Sequence, residues 1–165
     1  MGTSSLHQFF RCGNYTSSHW ECGYKTHHIC AYCMKDAIAN ALPPLKTCGN
    51  YDVFAQMDSG VFYPQIELLD EIHTESPNAT FILSFRNTTD WYRSLSNWYM
   101  GGAKQNLNQV IERTNITGLP PGKGKNETEF SEWFCSHILN IGNFVAKYPS
   151  HSPVEFNMAD PNAGK

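Results

Sequence analysis

Apolar side chains recur along the chain in two patterns, one with helical spacing and one in short continuous runs. The helical spacing predicts helices over residues 3–11, over 28–42, from Pro64 with Ile66, Leu69 and Ile72 on one face, through Trp91, Leu95 and Trp98, and over 127–147. The short runs predict strands over residues 51–57, 80–85 and 154–157. Because strands alternate with helices, the pattern predicts an α/β fold with a parallel sheet flanked by helices.

Two segments between these elements predict loops. Residues 12–27 are rich in Cys, His, Ser and Gly, and residues 115–126 are rich in Pro, Gly and Lys. The aromatic side chains predicted to form the core are Trp91, Trp98, Phe130, Trp133, Phe134 and Phe144.

The length and net charge of the chain limit the classes of protein to which it can belong. The chain has 165 residues, enough for one domain with a hydrophobic core, and we expect a single domain over residues 1–165. The net charge of −3 predicts no nucleic-acid partner. The sequence contains no apolar run of roughly 18 residues, the length needed for a membrane span.

Cysteines and glycosylation sequons indicate an oxidising compartment. The Asn-x-Ser/Thr sequons lie at Asn14, Asn78, Asn87, Asn115 and Asn126. The six cysteines are Cys12, Cys22, Cys30, Cys33, Cys48 and Cys135. Disulfides are favoured, with two cysteines able to remain unpaired. We expect the lumen of the secretory pathway, with a leader or membrane anchor upstream of this sequence.

A zinc knuckle is the alternative use of the cysteine-rich segment. Its ligands would come from Cys22, His27, His28, Cys30 and Cys33. The second Cys-x-x-Cys pair of such a site is missing, so disulfides remain the preferred interpretation.

The most suggestive chemistry lies at the start of the chain and after the strand over residues 80–85. Gly2 is followed by three hydroxyl residues, Thr3, Ser4 and Ser5, and then by an apolar helical run. This is the pattern of a phosphate-binding turn, because the first N–H groups of a helix point at bound anions. Arg86 stands where a predicted buried strand ends, and Ser94 follows eight residues later. A guanidinium and a hydroxyl placed in this way can converge on one phosphate.

Each of these features also has a purely structural interpretation. Hydroxyl residues such as Thr3 cap many ordinary helices. Arg86 could pair with a nearby carboxylate, and Ser94 could face solvent.

With these segments the chain resembles the P-loop sulfotransferases, which use 3′-phosphoadenosine 5′-phosphosulfate (PAPS). The family turn Lys-x-Gly-Thr-[Ser/Thr]-x-Leu is matched from its Gly onward by Gly2-Thr3-Ser4-Ser5-Leu6. Arg86 and Ser94 match the family's strand-end Arg and the Ser that follows it. Two further matches to one branch are Trp91-Tyr92-Arg93-Ser94 and the tail Asp160-Pro161-Asn162-Ala163-Gly164.

The resemblance implies a P-loop NTPase-like sulfotransferase fold that lacks its first strand in this sequence and is truncated at both ends. It implies that Gly2, Thr3, Ser4, Ser5 and Leu6 bind the 5′-phosphosulfate, and that Arg86 and Ser94 bind the 3′-phosphate. PAPS is then the co-substrate, no metal is required, and the acceptor is a hydroxyl or amine of a glycan or small molecule. The expected location is the Golgi lumen.

Two departures from the family pattern affect these expectations. The family's Lys would precede Met1, and without its charge transfer is expected to be severely slowed. Asn87 replaces the usual Asp after the strand-end Arg and creates a sequon beside the 3′-phosphate site. A glycan there would obstruct the nucleotide, so Asn87 is predicted to be unmodified.

Asp58 is the candidate base that takes the acceptor's proton, because it follows the predicted strand over residues 51–57. The competing interpretation is a turn or helix cap formed by Asp58-Ser59-Gly60. His27 and His28 are weaker candidates for the base.

Gly122-Lys123-Gly124-Lys125 fails as a Walker motif, because no Ser or Thr follows either Lys. It predicts a solvated loop that could touch an anionic substrate or PAPS. Acceptor specificity is expected in residues 12–27 and 101–126.

Three alternatives to an active sulfotransferase stay open from the sequence. The first is an inactive copy that still binds the nucleotide. The second is a secreted, disulfide-stapled binding domain whose first helix is capped by Thr3. The third, a nucleoside-triphosphate kinase, is disfavoured because no Gly-Lys-[Ser/Thr] follows Gly2.

Overall fold

The computed structural model describes residues 2–23, 28–59, 62–98 and 107–160. The chain forms two compact units, Met1–Pro77 and Asn78–Lys165. Within the described residues each unit contains helices and one two-stranded parallel sheet, which confirms a mixed α/β fold. The sequence predicts one parallel sheet, whereas among the described residues each unit contains one parallel pair of strands.

The first unit begins with a helix and pairs two very short strands. Its elements in chain order are α1 (Thr3–Cys12), β1 (Ser17–Ser18), α2 (Cys30–Ala39), α3 (Pro44–Cys48), β2 (Val53–Phe54), α4 (Pro64–Glu67) and α5 (Leu69–Glu75). Ser17 pairs with Val53 and Ser18 with Phe54. Strand β1 lies inside the segment predicted to be irregular, and β2 is much shorter than the strand predicted over residues 51–57.

A reciprocal set of hydrogen bonds between Thr16 and Asp52 fixes the start of this sheet. The backbone N–H and the hydroxyl of Thr16 donate to Asp52 Oδ2 at 2.8 and 2.6 Å. The backbone N–H of Asp52 returns a hydrogen bond to Thr16 Oγ1 at 3.0 Å. Polar bonds therefore set the register of strands that are too short to set it by hydrophobic pattern.

Two disulfides hold the core of the first unit. They join Cys22 to Cys30 and Cys33 to Cys48. The four bridged cysteines are at most 2% exposed, and so are three further residues of α2: Ala31, Met34 and Ala37. Cys12 and Cys135 are exposed free thiols, which confirms the prediction that two cysteines can stay unpaired.

The zinc-knuckle alternative is wrong. Cys22, Cys30 and Cys33 all form disulfides, so their sulfurs cannot serve as thiolate ligands. His27 lies outside the described residues, and His28 is exposed.

Prolines and a local break reshape the predicted helices of this unit. The helix predicted over residues 28–42 is α2, which ends at Ala39, and Pro44 then starts the short helix α3 at its first position. The helix predicted from Pro64 divides at Leu68 into α4 and α5. Of the predicted face through Ile66, Leu69 and Ile72, only Ile72 is fully buried, and Leu68 at the break is buried with it.

The second unit contains the longer sheet and the longest helix. Its elements are β3 (Thr80–Phe85), α6 (Thr88–Ser96), α7 (Leu107–Arg113), α8 (Glu127–Lys147) and β4 (Ser152–Asn157). Strands β3 and β4 pair in parallel from Thr80 opposite Ser152 to Phe85 opposite Asn157. The predicted bounds of β3 and α8 are confirmed, whereas α7 was not predicted.

Helix α8 carries the aromatic core of this unit. Phe130 is completely buried, and the Trp91 ring lies 5.5 Å from it and 4.9 Å from the Phe134 ring. Trp98 is 50% exposed, so its predicted place in the core is wrong. It follows the end of α6 at Ser96, where the helical spacing no longer directs it inward.

A carboxylate from the first turn of α8 orders the loop that precedes this helix. Glu129 Oε2 accepts hydrogen bonds from the backbone N–H groups of Gly124 and Lys125 at 2.8 and 2.9 Å. These bonds, the one from Lys125 foremost, lower the pKa of Glu129. Lys123 and Lys125 are exposed as predicted, but two amides that could bind an external anion already bind this side chain.

Among the described residues, no helix has the length and apolar character needed to cross a membrane.

We expect Phe130→Ala to lower the free energy of unfolding by about 3–5 kcal/mol, because it opens a cavity in a fully packed aromatic cluster. The matched control on the same helix is Leu139→Ala, since Leu139 is 67% exposed. That change should stay within about 0.5 kcal/mol. Urea unfolding followed by tryptophan fluorescence measures both, and equal losses would contradict the assigned core.

Removing the Cys33–Cys48 disulfide by paired Ser substitutions should cost about 3 kcal/mol, because it closes a loop with a sequence separation of 15. Cys12→Ser, at an exposed free thiol, should change stability by no more than about 0.5 kcal/mol. Non-reducing peptide mapping checks the pairing directly. Recovery of Cys12 or Cys135 in an intramolecular bridge would show that the pairing is different.

Candidate functional site

The predicted phosphate-binding turn lies at the N-terminus of α1, where Gly2 is buried and Ser4 and Ser5 are exposed. Gly2 is the N-cap residue, and its carbonyl accepts the first helical hydrogen bond from Leu6 N at 2.9 Å. No side chain of the described residues caps this end of the helix, so the alternative in which Thr3 is a simple cap is wrong. The helix has no acidic residue in its first turn to compensate its dipole.

Thr3 and Ser4 instead belong to a group of polar side chains, the α1 polar cluster, defined as Thr3, Ser4, His7, Ser17, His19 and Gln56. The Thr3 hydroxyl donates to Gln56 Oε1 at 3.1 Å. His19 Nε2 lies 3.3 Å from Thr3 Oγ1 and 3.2 Å from Ser4 Oγ. Ser5 is exposed, and Leu6 is partly buried.

Strand pairing explains why His19 and Gln56 meet. Both residues lie just beyond the carboxyl ends of β1 and β2, and the backbone N–H of Trp20 donates to the Gln56 carbonyl at 3.0 Å. Carboxyl ends of parallel strands are the usual edge for ligand binding in α/β folds. Here that edge faces the first turn of α1.

His7 is the second imidazole of the cluster. Its Nδ1 lies 3.0 Å from Ser17 Oγ, and its ring centroid lies 5.3 Å from that of His19. Desolvation lowers the pKa of His7, and the nearby charges of His19 and Arg11 lower it further. The neutral form of His7 is therefore favoured.

Asp58 lies in the same unit, two residues beyond Gln56. Burial raises the pKa of its carboxyl group, although hydrogen bonds from Gln65 and Gln56 and the charge of His19 oppose the rise. Gln65 Nε2 donates to Asp58 Oδ1 at 3.4 Å. Asp58 does not cap the following helix, because Tyr63 is the N-cap of α4. Gly60 of the proposed turn lies outside the described residues.

The second unit contains a cleft of about 390 Å³ at the carboxyl ends of its two strands. We call it the Arg86 cleft, and its lining residues are Arg86, Asp90, Arg93, Ser94, Asn97, Met158 and Ala159. Arg86 directly follows β3 and Met158 directly follows β4. The hydrogen bond from Met158 N to the Phe85 carbonyl at 2.9 Å holds the two chain segments together.

Arg86 is the most unusual side chain of this cleft. Its Nε and Nη2 atoms are buried and have no hydrogen-bond partner among the described residues. A buried donor without a partner costs about 1–3 kcal/mol, and more when the group is charged. No carboxylate in the described part of the chain satisfies these two donors.

One face of α6 supplies the other polar groups of the cleft. Asp90, Arg93, Ser94 and Asn97 recur at spacings of three and four residues, so they share this face. Ser94 lies nearly two turns into α6, because the helix starts at Thr88. Arg93 Nη1 pairs with Asp90 Oδ1 at 3.1 Å, and both side chains are more than half exposed.

The sequence analysis did not predict Arg93, Asn97 or Met158 as site residues. The helical spacing from Asp90 to Asn97 could have indicated the first two. Met158 lines the cleft only because β4 pairs with β3, which no local pattern reveals.

Asn87 is the N-cap of α6, and its side-chain oxygen accepts from Thr89 N at 2.9 Å. All five sequon asparagines are exposed: Asn14, Asn78, Asn87, Asn115 and Asn126.

Like Gly60, His27 and the tail from Pro161 to Gly164 lie outside the described residues. Within the described ranges, no three His, Cys, Asp or Glu side chains gather as metal ligands.

Comparison with known proteins bears on both regions. A family model for the sulfotransferase domain matches residues 1–146, which include the α1 polar cluster, Asp58, Arg86 and Ser94. Neither the curated proteins nor the solved structures give a match to the chain.

Asp58→Asn should raise the free energy of unfolding at neutral pH. The folded-state pKa of Asp58 is raised, so its ionised form destabilises the fold above that pKa, and this penalty disappears as the pH falls toward the unfolded value. Asp52→Asn is the matched control with the opposite sign. Hydrogen bonds from Thr16 lower the pKa of Asp52, which therefore stabilises the fold above its unfolded pKa and loses that effect in acid. Urea unfolding across the acid-to-neutral range measures both, and effects of the same sign would contradict this assignment.

Proposed function

The chain belongs to the sulfotransferase domain family, and on this basis we propose that it moves a sulfonate from PAPS to a hydroxyl or amine acceptor. We further propose that residues 1–165 act as one sulfotransferase-like domain with a P-loop NTPase-like fold.

The observation that carries the proposal is the pair of buried donors on Arg86. A 3′-phosphate has the charge and oxygen geometry to satisfy Nε and Nη2 together, as a bidentate partner. Ser94 lines the same cleft and can donate its hydroxyl hydrogen to another phosphate oxygen. The charges of Arg93 and Asp90 cancel within their pair, which leaves the cleft with the positive charge of Arg86.

The N-terminus of α1, which has no side-chain cap among the described residues, supports the 5′ contacts. Gly2 has no side chain to hinder close approach, and the first backbone N–H groups of α1 can bind phosphate oxygens. The helix dipole favours the negative charge that develops on the leaving phosphate. We assign Gly2, Thr3, Ser4, Ser5 and Leu6 to the 5′-phosphosulfate on this basis.

The transfer itself needs one proton acceptor. The acceptor's oxygen or nitrogen attacks the sulfur, the bond between the sulfur and the bridging phosphate oxygen breaks, and the electron pair leaves with 3′-phosphoadenosine 5′-phosphate. We assign Asp58 to receive the acceptor's proton. Its raised pKa makes it a stronger base than an ordinary aspartate, and it must be ionised to act. Asp58→Asn should therefore abolish most transfer while leaving the nucleotide contacts intact.

The proposed acceptor is a carbohydrate, and the proposed compartment is the Golgi lumen. Two disulfides and five exposed sequon asparagines fit an oxidising lumen with glycans. Part of the segment expected to set acceptor specificity, residues 101–126, forms helix α7 rather than a loop. We propose that residues 12–27 and 101–126 nevertheless bind the acceptor.

Arg86→Ala should weaken binding of adenosine 3′,5′-bisphosphate by about 10- to 100-fold, the usual effect of losing charged hydrogen bonds. Arg86→Lys should recover only part of the loss, because an ammonium cannot reproduce the bidentate fork. Adenosine 5′-monophosphate lacks the 3′-phosphate, so its binding should not change in either variant. Isothermal titration calorimetry measures these affinities.

Arg113→Ala, at the exposed end of α7, is the matched control and should bind like the original chain. If the unaltered chain binds no adenosine 3′,5′-bisphosphate, the proposal is overturned. Binding without sulfonate transfer would identify an inactive member of the family.

A further inference from the structure

The partners of His19 show which atom donates and which accepts in each of its hydrogen bonds. The Thr3 hydroxyl has one hydrogen, and it donates that hydrogen to Gln56 Oε1. Thr3 Oγ1 can therefore only accept from His19, which lies 3.3 Å away. It follows that His19 Nε2 carries a hydrogen in this arrangement.

The same hydrogen orients Ser4. Ser4 Oγ lies 3.2 Å from His19 Nε2 and shares its N–H with Thr3 Oγ1. Because Ser4 accepts there, its own hydroxyl hydrogen is left to point elsewhere. Ser4 is exposed in the first turn of α1, next to backbone N–H groups that have no helical acceptor.

The backbone around His19 holds this imidazole in place. Trp20 has φ +64°, a left-handed conformation that is rare for a bulky residue. Its N–H donates to the Gln56 carbonyl at 3.0 Å, and its carbonyl accepts from Cys30 N at 2.9 Å. The Cys22–Cys30 disulfide joins the two chain segments on either side of this contact. Strained conformations persist where the surroundings enforce them, and they concentrate at functional sites.

We infer that His19 is a positioning residue of the 5′-phosphosulfate site, which holds Thr3 and Ser4 so that the Ser4 hydroxyl hydrogen faces the 5′ anion. This inference rests on the proposed function. It adds His19, which directly follows β1, to a site whose other residues lie at the start of α1.

The test uses two ligands that differ only at the 5′ position. Adenosine 3′,5′-bisphosphate carries the 5′-phosphate, and adenosine 3′-monophosphate does not. His19→Ala should weaken the bisphosphate about tenfold, the effect of one misdirected hydrogen bond to a charged group. It should leave the affinity for the 3′-monophosphate unchanged. Arg86→Ala, by contrast, should weaken both ligands.

His19→Gln separates positioning from simple packing. The Gln side-chain amide can donate a hydrogen near the position of Nε2, so this variant should recover most of the lost affinity, to within about threefold of the original. His73→Gln in α5 is the matched control and should bind both ligands normally.

The outcomes distinguish the two proposals. If His19→Ala binds the bisphosphate like the original chain, or loses both ligands equally, the role of His19 is overturned while the proposed function stands. Failure of His19→Gln to restore 5′-dependent binding also overturns it. If the original chain binds neither ligand, the proposed function itself fails, and the role of His19 with it.

Discussion

In each unit, parallel pairing of two strands brings polar side chains together. In a parallel pair, both carboxyl ends lie at one edge, so residues far apart in sequence leave the sheet side by side. In the first unit, the pairing of β1 with β2 brings His19 beside Gln56. In the second unit, the pairing of β3 with β4 brings Arg86 to the same cleft as Met158. In each unit, residues at the strand ends therefore meet polar side chains from a neighbouring helix.

The two units maintain their strand pairs by different means. Six residue pairs join β3 to β4, and the aromatic side chains of α8 complete the core of that unit. Only two residue pairs join β1 to β2, and the bonds between Thr16 and Asp52 and the two disulfides stabilise the unit around them. Covalent and polar links replace apolar area where the sheet is too small to supply it.

The elements predictable from sequence are those with strong local patterns. Strand β3 is a continuous apolar run and α8 repeats its apolar face over 21 residues, so both bounds could be predicted. Strand β1 contains only Ser17 and Ser18, whose propensity gives no signal. Helical spacing does not predict the break at Leu68 or the exposed position of Trp98, because both depend on where a helix ends.

The same distinction applies to the candidate site. The strand-end position of Arg86 and its spacing to Ser94 were visible in the sequence, and the structure brings both residues to one cleft. His19 was not visible, because a single histidine in an irregular segment has no local pattern. Its partners Thr3 and Gln56 come from distant parts of the chain, so only the folded structure identifies it.

The disulfide arrangement also has a consequence for how the protein is made. The bridges Cys22–Cys30 and Cys33–Cys48 follow one another along the chain without overlapping, with sequence separations of 8 and 15. Both loops are short, so their closure costs little chain entropy compared with a bridge to the distant Cys135. All four bridged cysteines precede α4 in the chain, so during synthesis from the N-terminus they leave the ribosome before α4 does. Both disulfides of the first unit can therefore form before all residues of the Arg86 cleft have been synthesised. The cysteine spacing thus determines the order in which the two units mature.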